Sequence, residues 1–177
     1  NSDAFTLATR RGRLTIEATS PSAAATAVNY YLNHFFGMSL SHNGDNLHDL
    51  PSLPEVAPSV TVRSPFRYRY ALNYCTYNYT YSFYDWNDWE RELDWMALNG
   101  VNLMLAPLGT ELVWAQTLED AGFTEEEIGD FIPGPAFTAW WLMGNLEGWG
   151  GPMRRGMMEN RARMQQRILA RMDELGI

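Results

Sequence analysis

Residues 67–106 read RYRYALNYCTYNYTYSFYDWNDWERELDWMALNGVNLMLA, and their pattern predicts a strand, a helix and a second strand. Arg67 to Cys75 has the composition of a strand, and Val101 to Ala106 is a second, apolar strand. Between them, Asp85 is placed to cap a helix over Trp86–Leu98. A strand, a helix and a strand within about forty residues form a βαβ unit, in which a parallel pair is strongly favoured.

Further helical segments follow this unit. Glu111 to Leu118 predicts a short helix, Thr124 with Glu127 forms a capping box for another, and residues 157–175 are rich in helix-forming residues. A (β/α)₈ barrel needs eight strand–helix units and about 250 residues, and this chain supplies only about the first two. We therefore expect a truncated barrel, completed either by further polypeptide or by self-association, because an open parallel pair exposes apolar surface and a free edge.

The N-terminal residues predict a separate small unit. Phe5 to Ala8 and Leu14 to Glu17 form the strands of a hairpin, and Ser20 caps a helix that Gly37 ends. Residues 43–58 lose periodicity and contain three prolines, which is typical of a linker. The domain boundary is placed at the end of this linker.

Charge and composition exclude several classes of function. A net charge of −8 and a pI near 4.8 remove the electrostatic term that drives nucleic-acid binding, so nucleic acid is not an expected partner. The chain contains no lysine, which excludes a Schiff-base or P-loop lysine within it. No stretch is long and apolar enough for a membrane span, and the first 30 residues lack the order of a signal peptide.

Metal-ligating residue types are scarce. Cys75 is the single cysteine, so neither an intrachain disulfide nor a cysteine-based zinc cluster is possible within the chain. The three histidines, His34, His42 and His48, are spaced for no single helical face. Neither a metal nor another cofactor is predicted.

Acidic residues crowd the start of the predicted Trp86–Leu98 helix. Asp85 and Asp88 complement the helix dipole, while Glu92 and Asp94 are expected to face solvent or to pair with Arg91 or a barrel neighbour. Glu111 differs because it follows the second predicted strand, on the side where barrel enzymes build their sites. It is a candidate for lining a pocket, with a structural role as the open alternative.

Asn73 and Cys75 alternate along the first predicted strand, so their side chains are expected to share one face of it. Tyr77, Tyr79 and Tyr81 continue the aromatic run. Flat aromatic faces beside amide groups suit sugar recognition, and packing in a barrel core is the alternative. The sequence of these residues alone does not decide between sugar recognition and core packing.

Two segments together resemble the α-N-acetylglucosaminidases, glycoside hydrolase family 89. They are YRYALNYCTYNYTYSFYDWNDWERELDWMALNGVNLMLA and, further along the chain, GPAFTAWWLMGNLEGWGGP. The resemblance implies a small α/β accessory domain over residues 1–58, followed over residues 59–177 by the N-terminal part of a (β/α)₈ glycosidase barrel. It also implies release of terminal α-linked N-acetylglucosamine from glycans with retention of configuration and no cofactor. Both catalytic glutamates would lie beyond Ile177, so the fragment itself is expected to be inactive.

Part of a sugar pocket carries over by the same resemblance. Its substrate-binding residues would be Asn73 and Cys75 from the NYCT segment and Trp140 and Met143 from the WWLMGN segment, with Asn145 as a weaker neighbour. The amide can bond sugar hydroxyls, the indole can cover an apolar sugar face, and sulfur supplies soft apolar contact.

The chain departs from the family pattern in two places. Gly109, Thr110 and Glu111 stand where relatives usually have Gly-Gln-Glu, and residues 153–158 are basic where relatives are proline-rich. The resemblance implies a periplasmic, secreted or lysosomal location, although this chain shows no targeting signal. A stand-alone carbohydrate-binding or interaction module is the alternative function.

Overall fold

The computed structural model describes residues 2–49, 51–146 and 149–177 and is mixed α and β. The strands are β1 (Ala4–Arg10), β2 (Arg13–Ala18), β3 (Ser39–Ser41), β4 (Gly44–Asn46), β5 (Val60–Arg63), β6 (Tyr70–Ala71) and β7 (Leu103–Met104). The helices are α1 (Pro21–Phe36), α2 (Tyr74–Tyr79), α3 (Trp86–Leu98), α4 (Thr110–Asp120), α5 (Glu125–Phe131), α6 (Thr138–Leu142) and α7 (Arg155–Leu175). The described residues do not form a closed barrel.

The chain divides into two compact units. The first comprises the residues up to Ala71, Arg91–Met104 and Met172–Ile177. The second comprises Leu72–Glu90 and Leu105–Arg171. Helices α3 and α7 each contribute residues to both units.

In the first unit, a three-stranded antiparallel sheet of order β2-β1-β5 packs against α1. The predicted hairpin and helix are confirmed. Ser20 Oγ accepts a hydrogen bond from Ala23 N at 3.1 Å, and Gly37 ends α1 in the left-handed conformation with φ of 63°. Apolar side chains from the sheet, α1 and the proline-rich segment form the core: Phe5, Leu7, Ala27, Tyr31 and Val56.

The proline-rich segment 43–58 is anchored to this sheet at Val56. That side chain is buried, its backbone N–H donates to Thr9 Oγ1 at 2.8 Å, and its carbonyl accepts from Thr9 N at 3.0 Å. The end of the segment therefore packs as part of the first unit.

The predicted parallel strand pair is confirmed, but both strands are shorter than expected. Tyr70 lies opposite Leu103 and Ala71 opposite Met104. The strand expected to reach Cys75 ends at Ala71 because Leu72 turns the chain with φ of 74°. The expectation of a strand over 67–75 is therefore confirmed only for Tyr70–Ala71 and was wrong for the residues on either side.

Arg69, just before β6, holds three parts of the first unit together. Its guanidinium pairs with Asp3 and donates to the carbonyls of Gly100 and Phe66. Burial alone would raise the pKa of the Asp3 carboxyl, but hydrogen bonds from Arg69, Ser20 and Thr19 hold that pKa below its ordinary value. Asp3, directly before β1, and Gly100, three residues before β7, are thus tied to the start of β6.

Two side-chain pairs hold the β3–β4 hairpin against α3. His42 Nε2 lies 3.0 Å from Glu92 Oε2, and Arg91 pairs with Asp45 at 3.0 Å. The ring of His42 also lies against Trp95, with 4.1 Å between centroids. Glu92 was expected to face solvent or to pair with Arg91 or a barrel neighbour. It is instead 4% exposed, because the hairpin supplies a histidine from distant sequence.

Replacing His42 with alanine should lower the free energy of unfolding by about 1–2 kcal/mol, because Glu92 would lose its partner while remaining buried. Urea unfolding monitored by circular dichroism measures the change. The matched control is His48→Ala, which alters an exposed histidine and should leave stability within about 0.5 kcal/mol. Equal stability of the two variants would show that the Glu92 contact contributes nothing.

The second unit packs short helices around a sulfur- and aromatic-rich core. Thr124 and Glu127 form the predicted capping box at the start of α5, which is therefore confirmed. Asp85 and Asp88 each accept a hydrogen bond from the backbone N–H of the other at the start of α3. The core comprises Ala115, Ile128, Ile132, Trp141, Met153 and Met158.

Candidate functional site

Asn73 and Cys75 lie at the beginning of α2 rather than on a strand. Asn73 is the N-cap residue, and its Oδ1 accepts hydrogen bonds from the backbone N and Oγ1 of Thr76, both at 3.2 Å. Asparagine favours this capping position: Asn73 keeps an extended backbone with φ of −131°, and the helix begins at the next residue. The prediction that Asn73 and Cys75 share a strand face was wrong, although both residues occupy the first turn of one helix.

The Asn73 side chain retains donor capacity. Its side chain is exposed, its oxygen is occupied by the cap, and across the described ranges its Nδ2 has no partner. Cys75 is half-buried with a free thiol. An exposed amide donor beside a sulfur atom is compatible with a sugar hydroxyl next to an apolar contact.

Helix α2 packs against α6, which brings together segments about sixty residues apart in the sequence. The buried Asn78 Oδ1 accepts a hydrogen bond from Ala139 N at 3.0 Å. Its Nδ2 is also buried and has no partner among the described residues. The rings of Tyr79 and Trp140 meet edge to face with 5.8 Å between centroids. The NYCT segment and the WWLMGN segment therefore belong to adjoining helices.

The three tyrosines of the aromatic run have different environments. Tyr77 and Tyr81 are buried against Trp89, and the Tyr77 hydroxyl donates to the carbonyl of Leu105. Tyr79 is 71% exposed beside Trp140. Tyr77 and Tyr81 therefore belong to the core. Of the three tyrosines, only Tyr79 adds to the accessible aromatic surface.

Met143 and Asn145 follow directly after α6. Met143 is the C-cap residue and its side chain is partly exposed, while the exposed Asn145 donates its backbone N–H to the carbonyl of Trp140 at 3.0 Å. Gly144 permits this return because its φ is 73°. Met143 and Asn145 thus lie in the turn that ends α6, the helix that contains Trp140.

Glu111 occupies a different environment. Its side chain is 0% exposed and pairs with Arg161 of α7, while its Oε2 is buried without a partner among the described residues. The pair holds α4 against α7. Contact between Glu111 and a sugar remains a prediction, because a ligand would need access to this buried oxygen.

The described ranges contain no cluster of three or more His, Cys, Asp or Glu side chains arranged to hold a metal ion. Nor do they contain a helix with the length and apolarity needed to cross a bilayer.

Comparison with known families places this chain among the glycosidases that have a TIM-barrel domain. The model "Alpha-N-acetylglucosaminidase (NAGLU) tim-barrel domain" matches residues 69–177, and the model of the N-terminal domain of the same proteins matches residues 1–55. The chain belongs to the α-N-acetylglucosaminidase family.

Individual relatives agree with this assignment. Human α-N-acetylglucosaminidase is 40% identical over 165 residues, which cover 93% of this chain and 22% of the human protein. A family 89 glycoside hydrolase from Clostridium perfringens, in complex with PUGNAc, matches all of this chain with a TM-score of 0.96 and 39% identity. A variant of the Clostridium enzyme with two glutamates changed to glutamine, in complex with its substrate GlcNAc-α-1,4-galactose, matches equally well. The chain spans about one fifth of the length of these relatives.

Proposed function

We propose that this chain is the N-terminal portion of a longer, exo-acting enzyme that hydrolyses terminal α-linked N-acetylglucosamine with retention of configuration. The observation that carries the proposal is the match of the whole chain, at 39% identity and a TM-score of 0.96, to an enzyme whose substrate complex contains that sugar. N-acetylglucosamine-terminated glycans are accordingly the proposed partners.

The proposed contribution of this chain is one wall of the sugar pocket. Asn73 donates from Nδ2 to a sugar hydroxyl, the Trp140 ring covers an apolar sugar face, and Cys75 and Met143 supply apolar contact. Tyr79 supports the Trp140 ring, and Asn145 lies at the margin. The packing of α2 on α6 supports this grouping.

The catalytic carboxylates are proposed to lie beyond Ile177. A retaining glycosidase needs two of them about 5–5.5 Å apart, one as nucleophile and one as acid/base. Glu111, which the sequence indicated only as a pocket-lining residue, pairs with Arg161 and is enclosed. Its proposed roles are to position α4 through Arg161 and to offer its second oxygen to the sugar.

Residues 1–58 would form the accessory domain and residues 59–177 the beginning of the barrel, which the remaining polypeptide or self-association would complete. By likeness to the family, the whole protein would act in the periplasm, outside the cell or in a lysosome.

The proposal is tested with 4-nitrophenyl N-acetyl-α-D-glucosaminide as substrate. The full-length protein should release nitrophenol and yield the α-anomer of the sugar, as followed by proton NMR, whereas residues 1–177 alone should show no turnover. A β-anomer would contradict the retaining mechanism. Turnover by residues 1–177 that disappears in Glu111→Gln would make Glu111 catalytic, and an inactive full-length protein would favour the binding-module alternative.

A further inference from the structure

A buried amide joins the two helices that carry the proposed sugar contacts. Asn78 of α2 is 8% exposed, and its Oδ1 accepts a hydrogen bond from the backbone N–H of Ala139 in α6 at 3.0 Å. The two residues are 61 positions apart in the sequence, so the bond depends entirely on tertiary packing. Asn78 is not among the proposed sugar contacts, and its role must therefore be explained separately.

Helix α6 begins without a cap of its own. Its N-cap residue is Phe137, which makes no capping hydrogen bond through its side chain, and α6 is five residues long. The first N–H groups of a helix have no partner within it, and a polar side chain at the N-cap normally accepts from one of them. Asn78 supplies that acceptor from another helix. Because so short a helix does not form alone, its position depends on such tertiary contacts.

This hydrogen bond lies next to the contact that supports Trp140. Ala139 immediately precedes Trp140 on α6, and it is buried. Asn78 immediately precedes Tyr79 on α2. The edge-to-face contact between Tyr79 and Trp140 therefore follows the hydrogen bond by one residue on both helices. Without Oδ1, the buried N–H would have to find another partner, and α6 would shift and move the Trp140 ring relative to α2.

We propose that Asn78 is a positioning residue for the hydrolysis: its Oδ1 holds the start of α6 against α2 and thereby holds the Trp140 ring at the sugar. The proposal rests on the proposed function, because Asn78 acts through a side chain that is assigned there to the sugar. The oxygen carries the role, since the Nδ2 of Asn78 is buried and has no partner among the described residues. A replacement that retains the oxygen should therefore retain the position of α6.

Steady-state kinetics of the full-length enzyme with 4-nitrophenyl N-acetyl-α-D-glucosaminide test this role. Asn78→Leu has a similar shape but no acceptor, and it should raise KM at least about tenfold while kcat changes by less than about threefold. KM changes most because the Trp140 ring contacts the bound sugar before the reaction as well as during it. Asn78→Ala removes the acceptor without adding apolar bulk and should give the same rise. A KM within about twofold of the unaltered enzyme in both variants would overturn the proposal.

Asn78→Asp is the conservative variant. Its carboxyl group keeps an oxygen that can accept from Ala139 N in either protonation state, so KM should stay within about threefold of the unaltered enzyme. A rise in KM as large as that of Asn78→Leu would contradict the assignment of the role to the acceptor oxygen.

A double-mutant cycle separates positioning from general stability. If Asn78 acts through Trp140, Asn78→Leu should change kcat/KM by less than about twofold in an enzyme that already carries Trp140→Ala. Persistence of the full effect in that background would overturn the proposal.

Thr124→Ala is the matched control. Thr124 Oγ1 likewise accepts from a backbone N–H in the first turn of a helix, that of Glu127 at 3.3 Å, but the helix is α5. Thr124→Ala should lower the melting temperature and leave KM within about twofold. If it raised KM as much as Asn78→Leu does, loss of stability alone would explain both effects and the proposal would fail.

Hydrogen exchange tests the same contact without a substrate. In the full-length protein, Asn78→Leu should speed exchange of the Ala139 amide at least about tenfold, whereas Asn78→Asp and Thr124→Ala should leave it nearly unchanged. Unchanged protection in Asn78→Leu would overturn the proposal whether or not the protein is active. If the unaltered protein hydrolyses no α-glucosaminide but Asn78→Leu loses protection in α6, the proposed function fails and the structural assignment of Asn78 stands.

Discussion

Trp140→Ala in the full-length enzyme is expected to lower kcat/KM for 4-nitrophenyl N-acetyl-α-D-glucosaminide about 100-fold. Removing a large aromatic anchor from a binding pocket costs roughly 2–4 kcal/mol, and each 1.36 kcal/mol is a factor of ten in rate. Trp140→Ala also removes the edge-to-face contact with Tyr79, so the α2 wall of the pocket loses support. The measurement is steady-state kinetics together with a melting curve for each variant.

Trp140→Phe and Phe123→Ala are the companion variants. The phenyl ring should recover part of the activity, because it retains a flat face at the same position. Phe123 is half-exposed between α4 and α5, outside the proposed pocket, and its replacement should leave kcat/KM within about twofold. Full activity in Trp140→Ala would remove Trp140 from the pocket. A melting temperature that falls in parallel with activity would point to a structural role only.

Gly109→Ala is expected to lower the free energy of unfolding by roughly 3 kcal/mol or more. Gly109 precedes α4 with φ of 80°, a conformation that alone costs an alanine about 1 kcal/mol. An added Cβ would also lie 2.7 Å from the backbone Cα of Ala162, which cannot rotate away. The added Cβ overpacks this contact, so the loop must move away from α7, and the packing around it is lost. Thermal and urea unfolding measure the loss.

Gly122→Ala isolates the conformational part of that cost. Its φ of 93° is also positive, but no atom lies within 4 Å of the added Cβ, so we expect a loss of only about 1 kcal/mol. Ala162→Gly should not rescue Gly109→Ala, because the closest atom belongs to the backbone. Equal losses at Gly109 and Gly122, or rescue by Ala162→Gly, would show that close packing against α7 is not the cause.

Local signals made much of the fold predictable. Ser20 and Gly37 bracket α1, and Thr124 with Glu127 starts α5, because capping depends on residues within one turn. The strand before Asn73 was predicted too long, since its aromatic composition suits a strand while Asn73 forms a stronger local cap. The βαβ unit and the helices after it suggested a truncated barrel, and the resemblance supported that assignment, because two short parallel strands alone contain too little of the barrel pattern.

The sequence indicated which residues form the candidate site, but not how they are arranged in space. The motifs indicated Asn73, Cys75, Trp140 and Met143, but their relation depends on the packing of α2 against α6, which no local pattern encodes. Exposure likewise separates Tyr79 from its neighbours through tertiary contacts alone. The partner of Glu111 lies fifty residues further along the chain, on α7, so its enclosure could not be predicted from spacing.

The most direct test of the central claim is a crystal structure of the full-length protein with 2-acetamido-1,2-dideoxynojirimycin, a ligand of the Clostridium relative. The account predicts that Asn73, Cys75, Trp140 and Met143 lie within about 4 Å of the inhibitor ring. It also predicts that both carboxylates beside the anomeric position come from residues after Ile177. An inhibitor bound away from α2 and α6, or one whose anomeric position is held by Glu111, would contradict it.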